Sequence, residues 1–149
     1  MKPIAKILVP TDFSECSSAA ADTAAQLARQ VNGAVELITV VNTAPLFEAY
    51  GDVNYRNERI AYIRSKAQQE LEHFARNHFA DGIRLNLTVR DGEIFAEILQ
   101  AARDTQSDMI VLGTHGRTGL AHLLIGSIAE KVVRHSPIPV VTVSARPAH

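Results

Sequence analysis

The chain has 149 residues, of which 46% are apolar and 21% charged, a balance that suits one globular domain with a sizeable core. A formal net charge of −1, no tryptophan and few aromatics argue against a nucleic-acid partner, which calls for a basic face or a stacking surface. A single cysteine, Cys16, excludes a disulfide framework and points to a reducing, cytoplasmic setting. The opening MKPIAKILVP is too short an apolar run for a signal peptide, and no run approaches the ~20 residues of a membrane span.

In chain order, Ile4 to Val9 is a short apolar run closed by Pro10 and predicts a buried strand. Ser14 to Val31 predicts a helix with Ala20, Ala24, Leu27, Ala28 and Val31 at helical spacing, stopped by Asn32-Gly33. Its small-residue run CSSAAADTAA predicts a tightly packed face. Ala34 to Val41 is a second strand. Asn42 to Asn54, with Pro45 and Gly51, is expected to be a loop. Ile60, Ile63, Ala67, Leu71 and Phe74 mark a long amphipathic helix. Ile83 to Val89 alternates as a third strand. Asp91-Gly92 turns into a helix carrying Ile94, Phe95, Ile98, Leu99 and Ala102. Asp108 to Gly113 is a fourth strand. Ser127 to His135 is a short helix, broken by Pro137 and Pro139, and Val140 to Val143 is a fifth strand. Alternating strands and helices with no hairpin signal predict an α/β fold, an open parallel sheet with helices on both faces.

In such a sheet, ligands bind beyond the carboxyl ends of the strands, where the connections diverge. Pro10-Thr11-Asp12 lies at one such end and Gly113 at another, so neighbouring first and fourth strands would place both loops on one crevice. The segment GTHGRTGLAHLLIGS (113–127) carries three glycines. Ser127 and Glu130 have the spacing of a capping box, which would start a helix at Ser127. The unpaired N–H groups and positive dipole end of that helix suit an anion, and Gly126 would let it approach the backbone. Gly113 and Gly116 would clear room or supply positive φ, and Arg117 adds a guanidinium suited to phosphate. Replacing Gly126 by valine should therefore block a phosphate while leaving the fold intact. Neither GxxxxGK[ST] nor a GxGxxG after the first strand is present, where PTDFSE stands instead.

Asp12 is read equally as ligand contact and as N-cap of the first helix. Cys16 reads as a packing residue, although a thiol near a helix N-terminus can be activated. His115 and His122 read as surface or loop histidines rather than metal ligands. The apolar fifth strand would need cover at a sheet edge, which a two-fold homodimer through Val140–Val143 supplies.

Gly113-x2-Gly116-x9-Gly126-Ser127 resembles the nucleotide-binding signature of the universal stress protein family, and ILVPTDFSECS, IVLGTHGRTGL and SPIPVVTV are similar to its first, fourth and fifth strands. The likeness spans Lys6 to Val143. It implies a five-stranded parallel sheet of order 3-2-1-4-5, a single domain, dimerisation through the fifth strand and membership of the ATP-binding branch. Position by position it implies that Asp12 lies near the ribose and phosphates, with Pro10 and Thr11 also among the nucleotide-binding residues, and that Val40 packs against adenine or bonds it through its backbone. Gly113 would lie against the ribose, while Gly116, Gly126 and Ser127 cradle the phosphates with Arg117 beside them. Magnesium or manganese would ride mostly on the phosphates. Many members have Gly-x-Pro after the third strand, where this chain has Gly92-Glu93-Ile94. The implied function is a nucleotide-dependent stress-response switch or sensor with at most slow ATP hydrolysis, read by an unidentified protein partner. The alternatives are a dimeric interaction protein with a vestigial nucleotide site and, further off, an adenylate-transferring enzyme.

Overall fold

The computed structural model describes residues 2–116 and 125–145. Ten elements follow in order: β1 (Lys6–Pro10), α1 (Glu15–Val31), β2 (Ala34–Val41), α2 (Ala44–Ala49), α3 (Val53–His78), β3 (Arg84–Asp91), α4 (Ile94–Asp104), β4 (Met109–Gly113), α5 (Ser127–His135) and β5 (Val140–Val143). All strand pairings are parallel and the order is β3-β2-β1-β4-β5, as expected.

The sheet is buried between two layers because its central strands are apolar on both faces. Ile7, Val9, Val35, Leu37 and Val111 point to the layer of α1 and α3. Leu8, Ile38, Ile110 and Leu112 point to the layer of α4 and α5. On α1 the face toward the sheet consists of Ser17, Ala20, Ala21, Ala24, Ala25 and Ala28, all buried. Side chains this small let the helix axis settle close to the strands. Ser14 caps α1, its hydroxyl accepting from the Ser17 N–H, and Asn32 ends it in the left-handed conformation at φ 51°.

Several boundaries depart from expectation, and the larger departures have local reasons. β1 starts at Lys6 because the N–H groups of Ala5 and Lys6 donate to the Asp108 carboxylate, at 2.9 and 3.0 Å. The segment after β2 is not all loop: Pro45 at the first turn supports the short α2. α3 begins at Val53, where Asp52 accepts from the Tyr55 N–H at 2.8 Å. β3 runs on to Asp91 because Arg90 and Asp91 pair with Val40 and Val41. α4 starts without the proline of the family pattern. Gly92 supplies φ 154°, and the Glu93 carboxylate accepts from the N–H groups of Phe95 and Ala96.

This wiring positions the site. The chain leaves β1 into α1 on one face and leaves neighbouring β4 toward α5 on the other, so a crevice opens between their carboxyl ends.

Candidate functional site

The loop after β1 is pinned from below. The Thr11 N–H donates to the Ile38 carbonyl at 2.8 Å, and the Thr39 hydroxyl donates to the Thr11 carbonyl at 2.8 Å. The Thr11 hydroxyl donates to Ser17 Oγ at 2.9 Å and accepts from the Phe13 N–H at 3.0 Å. Those bonds hold Phe13 at φ 66°, a left-handed conformation that a bulky residue rarely adopts. Asp12 is not the helix cap; its Oδ1 accepts from the Ser14 N–H at 3.0 Å, and Ser14 caps α1.

Across from it, the chain after β4 passes the start of α5. Gly126 is the N-cap of that helix: its carbonyl accepts from the Glu130 N–H at 3.0 Å. Ser127 is therefore the first helical residue, and the expected capping box is absent, because Glu130 pairs with Arg134 instead of reaching back. The Gly126 N–H is spent on the Thr114 carbonyl. Donors open to a ligand thus begin at Ser127, in the first turn of α5.

The glycines serve close packing. None of Gly113, Gly116 and Gly126 has positive φ, contrary to one expectation. A Cβ on Gly113 would stand 2.8 Å from the backbone of Cys16, so this glycine lets α1 touch the end of β4. A Cβ on Gly126 would stand 2.9 Å from the Thr114 carbonyl oxygen. A side chain at 126 therefore requires the Thr114 loop to shift, a demand beyond blocking a phosphate. A Cβ on Gly116 would meet Asp12 Oδ2 at 2.5 Å, which shows how closely the two loops approach.

Between them lies a cleft of about 770 Å³. Pro10, Thr11, Asp12, Val40, Gly113, Gly116, Gly126 and Ser127 all line it, brought together from β1, β2, β4 and α5. Arg117 and His122 lie outside the described residues. Sequence reasoning missed one wall entirely. Tyr62, Ile63, Lys66, Ala67 and Glu70 of α3 face the cleft, as does Ile94 at the start of α4. The signal was available: Tyr62, Lys66 and Glu70 recur every four residues beside the apolar stripe of α3. Lys66 forms no ion pair among the described residues. His115, expected as a surface or loop histidine, lies in the loop after β4. It lines the cleft, and its Nε2 is buried with no hydrogen-bond partner among the described residues.

A second carboxylate anchors the outer wall. Asp91, at the end of β3, accepts from the Thr43 N–H at 3.1 Å, the Thr43 hydroxyl at 2.6 Å and Arg64 of α3 at 2.8 Å. Burial pushes the Asp91 carboxyl up, but the hydrogen bonds from Thr43 and Arg64 outweigh it and hold the group below the ordinary aspartate range. Among the described residues no three His, Cys, Asp or Glu side chains converge as a metal site, and no helix is long and apolar enough to cross a membrane.

A doubly wound parallel sheet with a polar-rimmed cleft at its switch point defines a broad class of α/β proteins. Within it, the pattern of the universal stress protein family matches residues 3–144, and the chain belongs to that family. The universal stress protein MJ0531 of Methanocaldococcus jannaschii is 31% identical over 140 residues, which cover 93% of this chain and 81% of that protein. The solved structure of MJ0577 superposes with a TM-score of 0.85 at 26% identity, over 99% of this chain and 100% of the other; that protein is from the same archaeon. A universal stress protein crystallised in complex with cAMP shares the fold, with a TM-score of 0.67 at 22% identity, over 97% and 100% of the two chains.

Proposed function

We propose that this chain is an ATP-binding universal stress protein that works as a nucleotide-dependent switch or sensor in the cytoplasm. One observation carries the reading: eight residues drawn from four separate elements converge on one cleft at the switch point. A cleft of about 770 Å³ falls in the range of small-molecule and cofactor sites. The cAMP complex of a protein with this fold supports an adenine nucleotide as the occupant class.

The residues fit such a ligand in character. Val40 offers an apolar surface to a base. The Asp12 carboxylate suits ribose hydroxyls, or a divalent ion carried by the phosphates. Gly116 and the first turn of α5 at Ser127 present backbone and hydroxyl donors to phosphate oxygens. His115 and the cationic Lys66 line the same space. Hydrolysis in this reading is at most slow, and the output passes to a partner protein. Two copies pair through β5, which stands at the sheet edge with Val140, Val141 and Val143 only partly covered.

The deciding experiment starts with protein purified without added nucleotide. It is denatured, and any released small molecule is identified by mass spectrometry; stripped protein is then titrated calorimetrically with ATP and magnesium. Released or rebinding ATP, with a rise in melting temperature, is the expected result. No nucleotide and no heat from folded protein would overturn the reading and leave a dimeric interaction protein.

A further inference from the structure

Phe13 follows Asp12 in the loop after β1 and stands at φ 66°. A bulky residue is strained in this left-handed conformation, which persists only where the surroundings hold it. Glycine would adopt it freely. The Phe13 ring meets the ring of Phe74 on α3 edge to face, with centroids 5.7 Å apart and planes at 69°. Phe74 is buried in the layer of α1 and α3, where it also packs on the His78 ring at 4.3 Å. His78 Nδ1 lies 2.8 Å from Asp22 Oδ1, so the row of three rings is tied back to α1.

The turn at Phe13 sets the direction of one carboxylate. Asp12 Oδ1 accepts from the N–H of Ser14, on the far side of Phe13, at 3.0 Å, so the bond forms only while the backbone between them keeps its shape. The Phe13 N–H donates to Thr11 Oγ1 at 3.0 Å, which fixes the entry to the turn and leaves its exit to the ring. Asp12 Oδ2 faces the opposite loop: a Cβ on Gly116 would stand 2.5 Å from it, and both residues line the cleft. From these observations, and resting on the nucleotide reading above, we infer that Phe13 is a positioning residue for the site. Its ring, seated on Phe74, clamps the strained turn and so holds the Asp12 carboxylate toward the nucleotide. A contact inside the α1–α3 layer thus orders one wall of the cleft in advance, and the ligand has less ordering to supply.

Two measurements on the intact protein test it, with Phe13→Gly and Phe13→Tyr. Glycine takes the turn without strain but has no ring; tyrosine keeps the ring. The first is amide hydrogen exchange on protein stripped of nucleotide. In Phe13→Gly the Ser14 N–H should lose at least about tenfold in protection relative to Ala24 and Ala25 in the middle of α1, and Phe13→Tyr should keep it. The second is a double-mutant cycle read by calorimetric titration with magnesium ATP. Phe13→Gly alone should weaken binding about tenfold and Phe13→Tyr should bind like the parent; in an Asp12→Asn background Phe13→Gly should change affinity by less than about twofold. Unchanged Ser14 protection, or losses from Asp12→Asn and Phe13→Gly that simply multiply, would overturn the assignment. Should Phe13→Gly fail to fold, Phe13→Leu, which fills the space without a ring, replaces it in both measurements under the same criteria. If the wild-type protein binds no nucleotide, the nucleotide reading fails on its own, and the exchange comparison still decides whether the ring holds Asp12.

Discussion

Gly113 packs on the first turn of α1 so tightly that a Cβ there would stand 2.8 Å from both the carbonyl carbon and the Cβ of Cys16, and 2.9 Å from the Ser17 nitrogen. The contact joins the two loops of the cleft through their supports, since α1 carries one and β4 the other. Gly113→Ala must push helix and strand apart. We expect a loss of about 1–3 kcal/mol in denaturant unfolding, the usual cost of overpacking against backbone. A loss within about 0.5 kcal/mol, the range of an ordinary surface change, would show that the contact is soft.

Asp91 makes the outer wall sensitive to acid. Its carboxyl is held below the ordinary range in the folded protein, so it contributes stability above its unfolded pKa of about 4, and that contribution disappears as pH falls through the lower folded value. The bonds to Thr43 carry most of it: Thr43 is buried, whereas the Arg64 side chain is 57% exposed and its ion pair is screened. Asp91→Asn should cost about 1–2 kcal/mol at neutral pH and flatten the acid limb of the stability profile. Parallel acid limbs for the two proteins, followed by thermal unfolding from pH 7 downward, would contradict the assignment.

Lys66 gives the proposed nucleotide site a charge that sequence motifs did not reveal. Lys66→Met keeps most of the stem and removes the ammonium. Affinity for magnesium ATP should fall about three- to tenfold, with a weaker dependence on salt and an unchanged melting temperature. Titrations at two ionic strengths read this out; an unchanged affinity and salt slope would place the lysine outside the field of the phosphates.

At the free edge, the Pro139 and Val143 carbonyls accept from Ile110 and Thr114, so alternation turns the N–H of Thr142 away from β4. Thr142→Pro therefore removes a donor only from the outer edge, the one place a strand tolerates proline. If copies pair through β5, light scattering after size exclusion should show a dimer for the parent and a monomer for the variant, at nearly equal stability. A variant that remains fully dimeric would move the interface elsewhere.

The strands, the alternation and the switch point were legible in the sequence because buried parallel strands write themselves as apolar runs, and glycine spacing marked the loops that meet. The reasons for the glycines were not legible. Gly113 and Gly126 clear space for backbone that arrives from elsewhere in the chain, a demand visible only in three dimensions. The Ser127–Glu130 spacing suggested a cap, but Glu130 has a partner one turn ahead in Arg134, and Gly126 rather than Ser127 is the N-cap of a helix that starts at Ser127 as expected. The α3 wall was hidden because a helix's flank gives no motif, and Lys66 and Tyr62 belong to a stripe that periodicity assigns to solvent. His115 lies in the loop after β4, one of its two expected settings; its hydrogen bond to Thr114, which in turn lies by Cys16, was not legible because Cys16 stands 98 positions from Thr114.

The alanine face of α1 sets an asymmetric tolerance for change. At Ala20, Ala21 and Ala24 the exposure is zero, and at Ala25 and Ala28 it is 2%. Such a face holds almost nothing that a mutation can shrink, so nearly every replacement overfills it. Variation here meets a hard stop on one side only, and drift toward larger residues would first be felt where α1 begins, as a widening between the two loops that frame the cleft.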